Sequence, residues 1–268
     1  MTNFIKILVY LLRLIGQHIP NIILVRAIPN RILKPIHLQF NRDIRVVDVL
    51  GFKMKLDPAE CVDGNLYFSP QLYDKNEIMY LIKKMPKDGV FVDVGGNIGF
   101  WGLYFSSILP NSKIFVIEAN PDTCNVLREN ISLNRFSNIR LINLGVSDEC
   151  GKMDLWCNDD GNRGADSFLG VDVDIKRSIS VIVKPLFQVL LEAGASRIDV
   201  MKIDIEGFES KVLTKFFLDA PHELWPRFIC VEVSHDNKVI FALENLGYKN
   251  VMAVGENCVF ELIDRSLH

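Results

Sequence analysis

Val90-Phe91-Val92-Asp93-Val94-Gly95-Gly96-Asn97-Ile98-Gly99 is an apolar strand run that passes directly into a glycine-rich turn. Glycine at 95, 96 and 99 permits a tight turn and lets backbone N–H groups come close to a ligand. Residues 100–109 then read as a helix whose positive end would point at that ligand. The stretch predicts the first strand, turn and helix of a nucleotide-type binding domain.

Beyond it, apolar strand runs alternate with helix-like stretches. Residues 114–118 and 139–144 read as strands around a helix at 121–133. Two further strands, 152–156 and 180–183, flank a polar stretch at 157–172, long enough to be a functional lid or irregular filler. A helix at 186–193, a strand at 199–203, a helix at 208–217 and a strand at 228–233 follow. This rhythm predicts an α/β fold with a mainly parallel sheet and helices on both faces. Upstream, 45–49 and 52–56 read as a hairpin turning at Leu50-Gly51, and 75–85 as a helix. Three segments result: a helical arm at 1–45, a hairpin and helix at 46–87, and the main domain at 88–268.

The chain has 268 residues, enough for one α/β domain with an extension, and a net charge of −3. That charge is uneven. Residues 1–42 hold six basic side chains (Lys6, Arg13, Arg26, Arg31, Lys34, Arg42) and no acidic one, leaving 24 basic against 33 acidic in the rest. A body at −9 argues against a nucleic-acid partner. In the arm, Asn3, Lys6, Tyr10, Arg13 and Gln17 fall on one helical stripe and the remaining surface is apolar. The apolar run is too short to span a bilayer, and Pro20 ends it. We read residues 1–42 as a membrane-surface helix, with docking on the domain or in a homo-oligomer as the alternative. The six cysteines show no metal-ligand spacing and read as reduced, which places the protein in the cytoplasm, at the inner face of the membrane if the arm binds lipid.

In an open parallel sheet, ligands bind beyond the carboxyl ends of the strands. The residues there are Asp93 and Asn97; Glu118, Asn120 and Pro121; Ser147 and Asp148; Lys202, Asp204, Glu206 and Gly207; Glu232 and His235. Glu118 lies 23 residues beyond Gly95, the spacing at which a carboxylate accepts hydrogen bonds from the two hydroxyls of a ribose. The turn is D-x-G-x-N-x-G rather than the G-x-G-x-x-G of a dinucleotide fold, which favours S-adenosylmethionine over a nicotinamide.

Five ordered blocks carry a resemblance: Asp93 to Gly99, Glu118-Ala119-Asn120-Pro121, Asn130-Ile131-Ser132-Leu133-Asn134, Gly145-Val146-Ser147-Asp148, and Lys202-Ile203-Asp204-Ile205-Glu206-Gly207-Phe208-Glu209. Together, over about residues 70–260, the chain resembles the FkbM family of S-adenosylmethionine-dependent methyltransferases. The resemblance implies a class I methyltransferase fold and O-methylation of a sugar, glycan or natural product. It assigns Gly95, Asn97 and Gly99 to the methionine moiety, Glu118 to the ribose and the Val146-Ser147-Asp148 turn to the adenine, with Asp93 and Asn120 beside them. Ala119 stands where the family often has proline. The N-P-P-Y tetrad of many amino-group methyltransferases is absent, and a hydroxyl acceptor is the better reading.

A hydroxyl must lose its proton to be a good nucleophile, and a placed base supplies this. His235 is the first choice as base, with Asp204, Glu206 and Glu232 as alternatives or orienting groups. Asp204, Glu206 and Glu232 could instead hold Mg²⁺. The alternative for Glu206-Gly207 is a cap on the next helix. Arg163, in the polar stretch, is read as a solvated loop residue or a contact for an anionic substrate. The rival classes are a nicotinamide-dependent reductase, an RNA methyltransferase and a non-catalytic membrane-associated binding module.

Overall fold

The computed structural model describes residues 3–20, 27–158, 161–169, 177–234 and 237–263. They form two compact units, Met1–Lys75 with Asp159–Gly164, and Asn76–Asn158 with Ala165–His268.

The first unit opens with α1 (Asn3–Gln17), followed by a π-helical turn (Pro29–Leu33) that runs into α2 (Lys34–Phe40). The expected hairpin is present as β1 (Arg45–Val49) and β2 (Phe52–Leu56), paired antiparallel from Arg45 with Leu56 to Val49 with Phe52. Helix α3 (Cys61–Phe68) and a 3₁₀ turn (Pro70–Leu72) follow. Val9 and Leu12 are buried, and Gly16 lies so close to Phe68 that a Cβ would overlap its carbonyl oxygen. The polar stripe expected on α1 does not all face water. Arg13 turns inward, donating from Nε to the Tyr67 carbonyl at 3.2 Å and from Nη2 to the Asp48 carbonyl at 2.6 Å, with its guanidinium over the Tyr67 ring. Those carbonyls satisfy a charge that a helix surface alone could not bury.

Arg163 is tied into the first unit rather than left as a free loop residue. It pairs with Asp63 at 3.4 Å and Glu60 at 3.5 Å, carboxylates a hundred residues earlier in sequence. Burial raises Asp63 to about 6 against the pull of that guanidinium.

The second unit begins with α4 (Lys75–Lys84), then runs β3 (Val90–Val94), α5 (Phe100–Ile108), β4 (Lys113–Glu118), α6 (Pro121–Ser132), β5 (Ile139–Asn143), β6 (Gly145–Ser147), β7 (Gly151–Cys157), β8 (Arg177–Pro185), α7 (Leu186–Glu192), β9 (Val200–Ile203), α8 (Glu209–Asp219), β10 (Phe228–Glu232), α9 (Lys238–Asn245), β11 (Tyr248–Val254) and β12 (Asn257–Leu262). Seven strands form one sheet in the order β11-β12-β10-β9-β3-β4-β5. Strands β10, β9, β3, β4 and β5 are parallel, and β12 and β11 add an antiparallel edge. The chain order reverses at β3, where β4 lies on one side and β9 on the other. This is the expected mainly parallel sheet, at whose switch point ligand crevices open.

Side-chain alternation explains the two covered faces. Val90, Val92, Val94, Met201, Ile203, Ile229 and Val231 point to a core shared with Leu186, Val212, Phe216 and Val239 of α7, α8 and α9. The intervening residues point the other way, where Phe91 stacks on Phe105 of α5 at 4.0 Å and Phe228 meets Tyr80 of α4. Each fully buried aliphatic or aromatic side chain of this kind contributes about 1.5–3 kcal/mol. A smaller sheet, β6-β8-β7, follows β5.

Candidate active site

Alternation also gathers the polar groups. Asp93, Lys202 and Cys230 are registered neighbours on β3, β9 and β10, so they share the face that carries Phe91, and Glu232 follows two residues after Cys230. Lys202 is buried, its ammonium lying 5.7 Å from the Trp101 ring centroid and 3.0 Å from Asp204 Oδ2.

The glycine turn is held by its own backbone. The N–H groups of Gly95 and Gly96 both donate to the Ile117 carbonyl at 3.0 Å, that of Asn97 to Glu118 Oε2 at 2.8 Å and that of Gly99 to the Gly96 carbonyl at 2.8 Å. Three of these donors fix the turn to β4 and the fourth closes the turn on itself, rather than facing a ligand, which corrects the expectation of a backbone cradle. Gly95 has φ +77° and lies so close to the next strand end that a Cβ would overlap the Asp204 carbonyl oxygen. Gly99, at φ +92°, caps α5. From α6, buried Asn130 donates to the Ile98 carbonyl at 3.0 Å. Asp93 lies beneath the turn, its Oδ2 beside Gly96 and Gly102 and 1% exposed.

Two groups, Asn97 on the turn and Glu118 at the end of β4, keep hydrogen-bonding capacity for a ligand. Asn97 Oδ1 is buried with no hydrogen-bond partner among the described residues. Glu118 accepts from Asn97 N and, through Oε1, from Asn120 N at 2.9 Å, so each oxygen keeps a second lone pair. Burial raises its pKa to about 7, although both backbone donors favour the ionised form. A diol donating two more hydrogen bonds would complete this carboxylate, and an ammonium would complete Asn97. The chemistry of the donor set fits S-adenosylmethionine, which carries both groups and a cationic sulfur.

Asn120 is committed elsewhere: its Oδ1 caps α6 by accepting from Asp122 N, and its Nδ2 donates to Asp166 at 2.6 Å. Ser147 is buried at the end of β6 and donates to Asp148, which pairs with Lys211 of α8 at 3.0 Å.

Asp204, Glu206 and Glu232 present oxygens within 4.8 Å of one another. Desolvation, then the Asp204 and Glu232 charges, raise Glu206 to about 8. Burial and the adjacent Asp204 carboxylate likewise push Glu232 up. Glu206 stands at φ +54°, a costly conformation for a residue with a Cβ. The turn that holds it there is fixed by Glu209, which accepts from Ile205 N at 2.7 Å and Gly207 N at 3.0 Å. The cap on this turn is thus Glu209 rather than Glu206. Ser167 Oγ donates to the Glu206 carbonyl at 2.8 Å, and Phe168 packs on Phe208. Residues 166–168 of the polar stretch therefore form a wall of the site. His235 lies outside the described residues.

A family model for the methyltransferase FkbM domain matches residues 93–250. The chain is 32% identical over 162 residues to methyltransferase sdnD of Sordaria araneosa, covering 50% of this chain and 62% of that protein. It is 28% identical over 150 residues to 2-O-methyltransferase NoeI of Sinorhizobium fredii, with 51% and 60% covered. A third relative, ribosomal RNA small subunit methyltransferase G of Prochlorococcus marinus, is 27% identical over 120 residues, with 42% and 48% covered. The matches thus span less than two thirds of these three relatives' lengths.

Proposed function

The chain belongs to the FkbM methyltransferase family, and from that premise we propose that it transfers a methyl group from S-adenosylmethionine to a hydroxyl of a sugar, glycan or natural product. The observation that carries this reading is the contact of Gly95 with the Asp204 carbonyl, which sets the cofactor turn against a cluster of three carboxyl groups. Family membership removes the nicotinamide-dependent reductase.

Glu118 holds the ribose diol, Asn97 with Gly95 and Gly99 the methionine end, and the Val146-Ser147-Asp148 turn the adenine. When bound, S-adenosylmethionine supplies a methyl group made electrophilic by its sulfonium. The chain's own contribution is to hold the acceptor hydroxyl and receive its proton. Asp204, paired with the Lys202 ammonium, acts as the base, and Glu232 stands beside it. Glu206 orients the acceptor, and His235 is the alternative base. An oxygen-only donor set of this kind also suits Mg²⁺. We favour the base because the Lys202 ammonium, 3.0 Å from Asp204 Oδ2, already supplies a cation to the cluster.

The 2-O-methyltransferase among the relatives supports a hydroxyl acceptor. The RNA enzyme supports a nucleic-acid one, against which stands the −9 charge beyond residue 42. The test is calorimetric titration with S-adenosylmethionine, S-adenosylhomocysteine and NADH, followed by methyl transfer to sugar hydroxyls, amines and RNA with and without chelator. Binding of both sulfur compounds and transfer to a hydroxyl is expected. A folded sample that binds neither compound would leave the non-catalytic binding module, transfer confined to RNA would overturn the acceptor class, and loss with chelator would replace the base by a metal.

A further inference from the structure

We infer that the unit built from residues 1–75 and 159–164 docks on an anionic lipid surface through the outward faces of α1 and of the π-helical turn with α2. This rests on surface chemistry and is independent of the methyl-transfer reading.

The outward face of α1 is apolar. Ile7 is 58% exposed, Leu11 45%, Leu14 37% and Ile15 52%, while Arg13 of the same helix is turned to the Tyr67 and Asp48 carbonyls. A second row repeats the arrangement: Ile32, Ile36 and Phe40, each four residues apart, are 50%, 37% and 42% exposed. Spacing of four keeps them on one face of a helix. Two neighbouring elements that leave large apolar side chains in water mark a surface that something covers.

Charge selects the occupant. Residues 1–42 carry six basic and no acidic side chains. Arg31 and Arg42 are exposed beside the second row, and Lys34 and Arg42, with Asn30 and Gln39, line a groove along the same helix. Self-association through matching faces would bring Arg31 and Arg42 of two copies together. Anionic headgroups above an acyl layer match both the cations and the apolar rows. No described helix is long and apolar enough to cross a membrane, so α1 lies in the plane of the interface.

The test is flotation of the full chain with vesicles of phosphatidylcholine alone and of phosphatidylcholine with phosphatidylglycerol. Binding to the anionic vesicles is expected, weaker in high salt. The double variants Leu11→Ser/Ile15→Ser and Ile36→Ser/Phe40→Ser should each weaken partitioning by about tenfold or more, and Arg31→Glu/Arg42→Glu should remove the preference for anionic lipid. Unchanged melting and cofactor titration would show that the fold survives these surface changes. Full chain that stays unbound with anionic vesicles, or partitioning unaffected by the apolar variants, overturns the proposal. So does a dimer dispersed by those same variants without any vesicle binding, which would assign the face to a second copy.

Discussion

Two sets of acidic strand ends meet in the second unit, and they are stabilised in opposite ways. At β4, Glu118 is held by two backbone N–H groups, and its oxygens fix the glycine turn while keeping lone pairs for a ligand. Beyond β9 and β10, Asp204, Glu206 and Glu232 face one another, with one ammonium at Asp204 and with Glu206 in the left-handed region, where it is less at ease than Asn97 of the glycine turn. The first arrangement is preorganised for binding. The second is kept at an energetic cost, the usual mark of groups that move protons.

If this division is right, the two sides separate under mutation. Asp204→Ala should lower turnover by about 10²- to 10⁴-fold while cofactor affinity stays within about threefold. Turnover retained in Asp204→Ala and also in His235→Ala would erase the distinction. Glu118→Ala should do the reverse, weakening S-adenosylmethionine by about 10- to 100-fold, as loss of hydrogen bonds to a charged group implies, with turnover at saturating cofactor nearly kept. A calorimetric titration beside a saturation curve decides this.

The smallest effect concerns pH. Glu118 and Glu206 are raised from 4.5 to about 7 and about 8. Protonation therefore favours the fold, fully so below about pH 4.5, and that contribution is lost as pH rises through 7 and then 8. The melting temperature of the cofactor-free protein should fall across this window, by about 2–4 °C per kcal/mol lost in a domain of this size. Glu206→Gln should make the upper part of the fall shallower, with Glu232 supplying the remainder, and leave the part near 7; a profile unaltered by the substitution would show that Glu206 does not titrate in this window.

The sequence was most legible where one strand carries its own signal. The buried strands 90–94, 113–118, 200–203 and 228–232 announce themselves as apolar runs, and each expected boundary lies within a residue of the observed one. Strand β11, half-buried and interrupted by polar residues, lacks that contrast, and β12 offers only the three-residue buried run Cys258-Val259-Phe260; neither is among the expected strands, and α2, α3 and α9 are not among the expected helices. At the site, residues next to strand ends could be collected by rule. The supports could not, because Glu209 acts through backbone N–H groups and Ser167 reaches Glu206 across 39 residues of chain. Glu209 and Asn130 stood in the blocks that carry the family resemblance, and that presence was their only signal. On α1 the period was readable but not its sidedness, since carbonyls from Asp48 and Tyr67 decide where Arg13 points.

The contact between Gly95 and the Asp204 carbonyl makes the two strand ends a mechanical interlock. Any redesign that widens the acceptor side by shifting the turn at residues 204–207 would press on the loop that grips the cofactor, trading new substrates for lost affinity. The wall at Asp166–Phe168 touches the acid turn through one hydroxyl and one ring. An engineer seeking a different acceptor should randomise that wall first, since it can change shape while the interlock stays shut.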